Sequence, residues 1–137
     1  MRQLLSHPIS QSPNSLVKRD RIFLIALALA AIALWLFLAP PRWWLNLIKP
    51  VDLSDPARAG AQVVAKYDCR SCHRIEGRGA LKGPDLAGVT ERLDEVSIRL
   101  WLVNPKAVKG DTAMPNFHLS DPEITAIVAY LEALDAR

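Results

Sequence analysis

The sequence predicts an all-α protein, in which one membrane-length helix near the N-terminus precedes a small helical domain. Between residues 22 and 39 the chain reads IFLIALALAAIALWLFLA and carries no charged side chain. Three later segments repeat apolar residues at helical spacing. No stretch shows the strict alternation of a half-buried strand. These observations divide the chain into a polar tail (1–20), a transmembrane anchor (21–39), an interfacial linker (40–53) and a helical domain (54–137).

The apolar run is long enough to cross a bilayer as a helix. Its 18 residues span roughly 27 Å at a rise of about 1.5 Å per residue, close to the thickness of a hydrocarbon core. A cleaved secretory signal is the alternative, because Lys18, Arg19 and Arg21 form a basic segment before the run. The run exceeds the usual signal core and ends in bulky residues where a peptidase needs small ones. An uncleaved anchor is therefore favoured.

The basic residues are concentrated beside this apolar run. Residues 1–50 carry six basic side chains and one acidic one, a net charge of +5, whereas residues 51–137 carry 11 basic and 13 acidic ones, a net charge of −2. Four of the cations precede the run, so the positive-inside bias predicts a cytoplasmic N-terminus and a helical domain on the outer face. Because the basicity flanks a membrane segment, no nucleic-acid partner is predicted.

The segments on either side of the anchor have different predicted roles. The polar start, residues 1–20, has no helical or strand period and is predicted to be a disordered cytoplasmic tail. After the anchor, Pro40-Pro41 disfavours further helix. Trp43 and Trp44 then lie where an interfacial aromatic belt is expected.

Three segments of residues 54–137 predict helices. The first begins at Ser54-Asp55-Pro56, with Ser54 as a candidate cap. The second ends before the Asn-Pro pair 104–105, and the third begins with the capping box of Ser120 and Glu123. Their apolar positions are, along the chain, Ala59, Val63, Val64 and Tyr67; Leu93, Val96, Leu100, Trp101 and Val103; and Ile124, Ile127, Val128, Tyr130, Leu131 and Leu134.

Long irregular segments, roughly 70–90 and 106–119, separate these helices. Irregular segments of this length in a compact domain are usually functional. A domain of this size is also marginally stable without a disulfide, metal or cofactor. A bulky cofactor enclosed by the two segments accounts for both features.

The only cysteines, Cys69 and Cys72, lie in the first irregular segment and are followed directly by His73. A disulfide between them would close a very short loop and stabilise little. A structural zinc site needs further ligands, and the other histidines are His7, across the membrane, and His118. A redox dithiol expects a βαβ setting that the helical pattern lacks.

The remaining interpretation is the C-x-x-C-H signature of covalent haem attachment, which CRSCH matches residue for residue. In this motif the two thiols form thioethers with the haem, and the histidine ligates the iron. An electron carrier with both iron faces closed needs a second axial ligand. Met114 is the candidate by elimination, because Met1 is the only other methionine. Methionine with histidine raises the reduction potential relative to two histidines.

At this point the chain resembles the class I c-type cytochromes. The resemblance spans essentially residues 55–134 and rests on five motifs, CRSCH (69–73), GPDL (83–86), LWLVNPKAV (100–108), AMPNF (113–117) and the final-helix pattern IVAYLEAL (127–134). It implies one covalently attached haem c per chain. It also implies that the Pro84 carbonyl accepts a hydrogen bond from the His73 ring, and that the helices of Gly60 and Tyr130 cross closely.

The anchor-plus-haem plan is also similar to that of membrane-anchored cytochrome subunits of bacteria. Examples are the small subunit of nitric oxide reductase and the monohaem subunits of oxidases and of alternative complex III. This similarity implies a single-pass protein of the bacterial inner membrane with its haem domain in the periplasm. Its redox partners would be other subunits of a respiratory or photosynthetic complex.

The predicted function is electron transfer without bond chemistry on a substrate. The alternative is a haem peroxidase or gas sensor in which Met114 dissociates from the iron, with His118 as the one distal acid–base candidate. A cation-rich surface around the haem-binding loop is predicted to dock an acidic partner patch. Its members are Lys66, Arg70, Arg74, Arg78 and Lys82.

Overall fold

A computed structural model describes residues 13–137, with side chains described from residue 18 onward. The described residues form two compact units, which meet in the sequence between Ala39 and Pro40. The described residues contain α-helices and one 3-10 turn, with a single isolated bridge between Ile75 and Arg78 and no strand. The all-α prediction is confirmed. Residues 1–12 of the predicted tail lie outside the described residues.

Helix α1, Pro13–Leu38, forms the first unit. Within it, Lys18–Leu38 is long and apolar enough to cross a membrane, with a mean hydropathy of 2.5 and no buried residue. The helix begins eight residues before the predicted anchor, so the predicted lack of helix is wrong for residues 13–20. A proline is tolerated in a first helical turn, and a helix already formed by the apolar run extends at the cost of one residue at a time.

Helix α2, Arg42–Ile48, follows after three residues and belongs to the second unit. The sequence predicted residues 40–53 only as an interfacial linker. The structure instead packs α2 onto the helical domain, where Leu45 is buried. Pro41 adopts an extended conformation at the start of the helix. The connection to the domain is therefore partly a packed helix.

Helices α3, Pro56–Lys66, and α7, Asp121–Asp135, cross at the centre of the second unit. The cap of α3 is Asp55, which accepts a hydrogen bond from the Arg58 amide at 3.1 Å; the predicted Ser54 cap is wrong. The predicted close crossing is confirmed at Gly60. A Cβ atom added there would lie 2.6 Å from the Cβ atom of Tyr130.

Three shorter helices complete the domain, namely α4, Val89–Arg92, α5, Glu95–Val103, and α6, Pro105–Val108. Helix α5 confirms the second predicted helix. Its buried residue is Ile98, which the predicted stripe omitted. Val96 and Leu100, which the stripe included, are more than half exposed. Helix α6 lies at the start of the segment that the sequence predicted to be irregular.

The hydrophobic core includes residues from both irregular segments. Ile75 and Leu119 are 1% and 2% exposed and pack with Val64 and Ile124 of the two crossing helices. Buried apolar side chains thus fix two points of otherwise irregular backbone. At the far end of α7, Asp135 accepts hydrogen bonds from the amides of Gly88, at 2.7 Å, and Thr90, at 2.9 Å.

A buried carboxylate stabilises the start of α7. The predicted capping box is confirmed, because the Ser120 amide donates to Glu123 at 3.0 Å and the Glu123 amide donates to the Ser120 hydroxyl at 3.3 Å. Lys66 and Tyr67 donate to the same carboxylate at 2.7 and 2.9 Å. Burial opposes ionisation of Glu123, but hydrogen bonds from Lys66, Ser120 and Tyr67 outweigh it and hold its pKa below the ordinary value.

We expect Glu123→Gln to destabilise the domain by about 1–3 kcal/mol at neutral pH, because donors are left facing an uncharged amide. Since the folded-state pKa is lowered, this contribution is fully present above the unfolded-state pKa and is lost as the pH falls through the folded-state value. Thermal unfolding from pH 7 to pH 3 tests this. The difference between wild type and variant should shrink as the pH falls. Glu132→Gln, at an exposed position of the same helix, is the control and should change little.

Candidate haem site

One tight turn holds both cysteines and the histidine of the CRSCH motif. Cys69–Ser71 forms a 3-10 turn. The amides of Cys72 and His73 both donate to the Cys69 carbonyl, at 3.3 and 3.0 Å. Asp68 enters the turn in the left-handed region, with φ of 49°. The three side chains therefore project from a compact, hydrogen-bonded segment.

The two cysteines are not bonded to each other and are half-buried. Burial raises the pKa of the Cys69 thiol. A raised pKa disfavours the reactive thiolate of a redox dithiol. Among residues 13–137 no group of three or more histidine, cysteine, aspartate or glutamate side chains is placed to hold a metal ion. The disulfide, dithiol and zinc interpretations thus have no structural support in this part of the chain.

The His73 ring is oriented by a backbone carbonyl. Its Nδ1 atom lies 2.8 Å from the Pro84 carbonyl oxygen, as the resemblance implied. A carbonyl can only accept, so Nδ1 carries the proton and the lone pair of Nε2 is available to a metal. Such a contact fixes the tautomer and the ring orientation of a ligating histidine.

The segment that carries Pro84 is itself fastened to the CRSCH turn. The amides of Ala80 and Gly83 donate to the carbonyls of Arg70 and Cys72, at 2.9 and 2.8 Å. Gly83 packs directly against the imidazole, because a Cβ atom added there would lie 2.7 Å from Cε1 and 3.0 Å from Nδ1 of His73. This glycine belongs to the GPDL motif, but its contact with the histidine was not predicted from the sequence.

We expect Gly83→Ala to displace the His73 ring, because the added methyl group would overlap it. The Nδ1 hydrogen bond to Pro84 should lengthen and the ring should lose its fixed orientation. The proton-nuclear magnetic resonance shifts of the ligated imidazole and the reduction potential of the holoprotein report this change. Gly110→Ala is the matched control, since nothing lies within 4 Å of a Cβ atom added there. A Gly83→Ala spectrum identical to that of Gly110→Ala would contradict the predicted contact.

The second irregular segment carries Met114 and is attached to the rest of the domain near its C-terminal end. The Met114 amide donates to the Thr112 hydroxyl at 3.2 Å, and Met114 is partly buried. Phe117 packs its ring on Tyr67 at a centroid distance of 5.6 Å. The Lys49 ammonium donates to the His118 carbonyl at 2.8 Å. Ligation by Met114 stays a prediction.

The side chain of His118 is exposed, whereas its backbone is constrained. Its φ of 49° lies in the left-handed region, and its amide donates to the Asn116 side chain at 2.9 Å. These contacts give His118 a role in the turn that precedes α7. Lys49 also donates to the Tyr67 hydroxyl at 3.2 Å. These two contacts of Lys49 were not predicted from the sequence. The sequence feature that could have indicated them is the helical spacing of the polar residues at positions 42, 46 and 49.

The donor set of the domain suits a haem, and the domain also exposes several large apolar side chains. Haem c needs two thiols and a nitrogen donor on the motif side, and a soft donor such as methionine closes the other face. A large planar apolar group also needs apolar walls. Five large apolar side chains between residues 81 and 108 are at least one-third exposed, namely Leu81, Leu93, Val96, Leu100 and Val108.

Most of the predicted cation-rich surface is paired within the domain. Lys66 pairs with Glu123 at 2.7 Å, and Arg70 and Arg78 both pair with Glu76, at 2.9 and 3.6 Å. Arg74 lies 4.0 Å from Asp85. Lys82 has no ion pair among residues 18–137 and is exposed. The surface is thus less positive than the sequence suggested, and docking to an acidic patch stays a prediction.

An all-α domain whose CRSCH turn presents a carbonyl-oriented histidine defines a c-type cytochrome domain. The sequence profile of the cytochrome c family matches residues 57–135. The chain therefore belongs to the cytochrome c family. A cytochrome c domain is an electron carrier with covalently bound haem.

Individual relatives extend the likeness to subunits of membrane oxidoreductases. The C subunit of nitric oxide reductase from Halomonas halodenitrificans is 28% identical over 104 residues, which cover 67% of this chain and 69% of the relative. The corresponding C subunit from Stutzerimonas stutzeri is 25% identical over 87 residues, covering 59% and 60%. Cytochrome c oxidase subunit 2 of Bacillus subtilis (strain 168) is 30% identical over 99 residues, 61% of this chain but only 28% of the relative.

Proposed function

We propose that this chain is a membrane-anchored electron-transfer protein that passes electrons between redox partners in the same membrane. It would carry one haem c, attached through Cys69 and Cys72 and ligated by His73 and Met114. The observation that carries this proposal is the CRSCH turn, in which the His73 ring is already oriented by Pro84 at 2.8 Å. When bound, the haem supplies one-electron redox chemistry between Fe(III) and Fe(II).

The chain's own residues supply attachment and a fixed environment. The turn at Cys69 positions both thiols and the histidine. The carbonyl of Pro84 keeps the proton on Nδ1, so that Nε2 remains a donor through both oxidation states. The Met114 loop is fastened to buried core at Leu119, which limits its movement when the charge of the site changes.

The anchor supports a place within a membrane complex. Helix α1 is long and apolar enough to cross a bilayer, and two of the relatives are named as subunits of nitric oxide reductase. We place the N-terminus in the cytoplasm and the haem domain on the periplasmic face of a bacterial inner membrane, because four of the six cations in residues 1–50 precede the apolar run. The partners would be other subunits of a respiratory or photosynthetic complex.

Addition of carbon monoxide to the reduced full-length protein in mild detergent tests the proposed role. An electron carrier with two protein ligands should show an unchanged absorption spectrum, because no iron position is open. A spectral shift with the native chain would contradict it and favour a peroxidase or gas sensor with a labile methionine. Met114→Ala is the positive control, since it should open the position and bind the gas.

A further inference from the structure

Helix α2 presents its polar residues to the helical domain. The Arg42 guanidinium pairs with Asp121, and its Nε atom donates to that carboxylate at 3.1 Å. Asn46 donates to Asp121 at 2.6 Å and accepts from its amide at 2.8 Å. The hydrogen bond from Asn46, followed by that from Arg42, lowers the pKa of Asp121. The Ser120 hydroxyl donates to the Lys49 carbonyl at 2.8 Å.

The opposite side of α2 is apolar and exposed. Trp43, Leu47 and Ile48 expose 62%, 67% and 51% of their surface. Trp43 and Leu47 are four residues apart, so they lie on one face of the helix. A surface helix of a water-soluble domain normally buries its apolar face and exposes its polar one. On α2 the side that faces the domain carries the buried Leu45 as well as these polar residues, and a second, apolar face remains exposed.

The chain length restricts what can cover this apolar face. Helix α1 ends at Leu38 and α2 begins at Arg42. The intervening residues can span at most roughly 14 Å when fully extended. The face therefore lies within a short distance of the end of a helix whose 21-residue segment Lys18–Leu38 is apolar enough to cross a bilayer. Tryptophan is also enriched at the level of lipid headgroups.

We propose that the face formed by Trp43, Leu47 and Ile48 lies in the headgroup region of the bilayer that α1 crosses. On its other side α2 is hydrogen-bonded to Asp121, and Lys49 at its end is hydrogen-bonded to Ser120. The contact of the apolar face with the headgroups would therefore hold the haem domain in one orientation on the membrane. The inference rests on the proposed membrane anchor. In this arrangement, part of the interfacial linker is a packed helix that lies between the domain and the lipid.

A nitroxide label on the full-length holoprotein in phosphatidylcholine nanodiscs tests the proposal. Thioether formation consumes Cys69 and Cys72, so the one added cysteine is the only free thiol. The unsubstituted protein is the control and should take up no label. The positions are Leu47→Cys on α2, Ile25→Cys in α1 and Gly110→Cys on an exposed loop. Power saturation of the reduced protein compares collisions with oxygen, which dissolves in lipid, and with a water-soluble nickel complex.

We expect the ratio of oxygen to nickel collisions at Leu47→Cys to exceed that at Gly110→Cys and to stay below that at Ile25→Cys, because the headgroup region lies between water and hydrocarbon. Equal ratios at Leu47→Cys and Gly110→Cys, with a lipid-like ratio at Ile25→Cys, would overturn the seating of α2 but leave the anchor intact. The same equality would be expected if the face instead binds another protein of the membrane. A water-like ratio at Ile25→Cys would overturn the anchor itself, and the inference with it.

Discussion

Replacing Met114 with alanine should remove the weak near-infrared charge-transfer band of the oxidised protein. The reduction potential should also fall by an appreciable part of the roughly 0.8 V over which axial ligands set haem potentials. The physical reason is that a thioether stabilises Fe(II) relative to Fe(III), and no other soft donor lies in the loop. A spectrum and a potentiometric titration of the full-length protein measure both effects.

His118→Asn is the matched control for this substitution. His118 lies four residues beyond Met114, its side chain is exposed, and its contacts are made by its backbone. Asparagine tolerates the left-handed conformation that this position requires. The control should keep the band and the potential. Loss of the band in His118→Asn, with its retention in Met114→Ala, would show that the axial ligand was assigned to the wrong residue.

Replacing Gly60 with alanine should destabilise the domain by about 1–3 kcal/mol or more, because the added methyl group overpacks the crossing of α3 and α7. A Cβ atom there would lie 2.6 Å both from the carbonyl carbon of Ala126 and from the Cβ atom of Tyr130. Backbone on one side and a branching point on the other leave little room to adjust. Denaturant unfolding monitored by circular dichroism measures the loss.

Gly110→Ala controls for the general effect of adding a methyl group to a glycine. It should be neutral or slightly stabilising, since nothing lies within 4 Å and alanine restricts the unfolded chain. The two substitutions change the same atoms, so their difference isolates the helix crossing. Unfolding midpoints of Gly60→Ala and Gly110→Ala that agree within error would contradict the predicted crossing.

Local signals in the sequence predicted the elements whose stability is local. The capping box of Ser120 and Glu123 needs only four residues, and the structure contains it as predicted. The CRSCH motif likewise specifies one turn. The cap of α3 was misassigned by one residue, because Ser54 and Asp55 are both good cap residues and only the backbone decides between them.

Features that depend on distant contacts were not predictable from the sequence. Residues 40–53 had no helical period long enough to predict α2. Arg42 and Asn46 of α2 instead form hydrogen bonds with Asp121, which is 79 positions from Arg42. The apolar stripe assigned to α5 did not match its buried face for a different reason. Apolar spacing does not show which face of a helix packs on the rest of the domain, and Val96 and Leu100 of the predicted stripe are more than half exposed.

The intact mass of the denatured chain would decide whether the haem is covalently bound. The protein is expressed in a bacterium with the c-type haem maturation machinery, purified in mild detergent and denatured before mass spectrometry. We predict the mass of the full-length polypeptide plus one haem, and this addition should disappear when Cys69 and Cys72 are both replaced by alanine. A mass equal to that of the unmodified polypeptide would contradict covalent attachment, and the proposed electron-transfer function would fail with it.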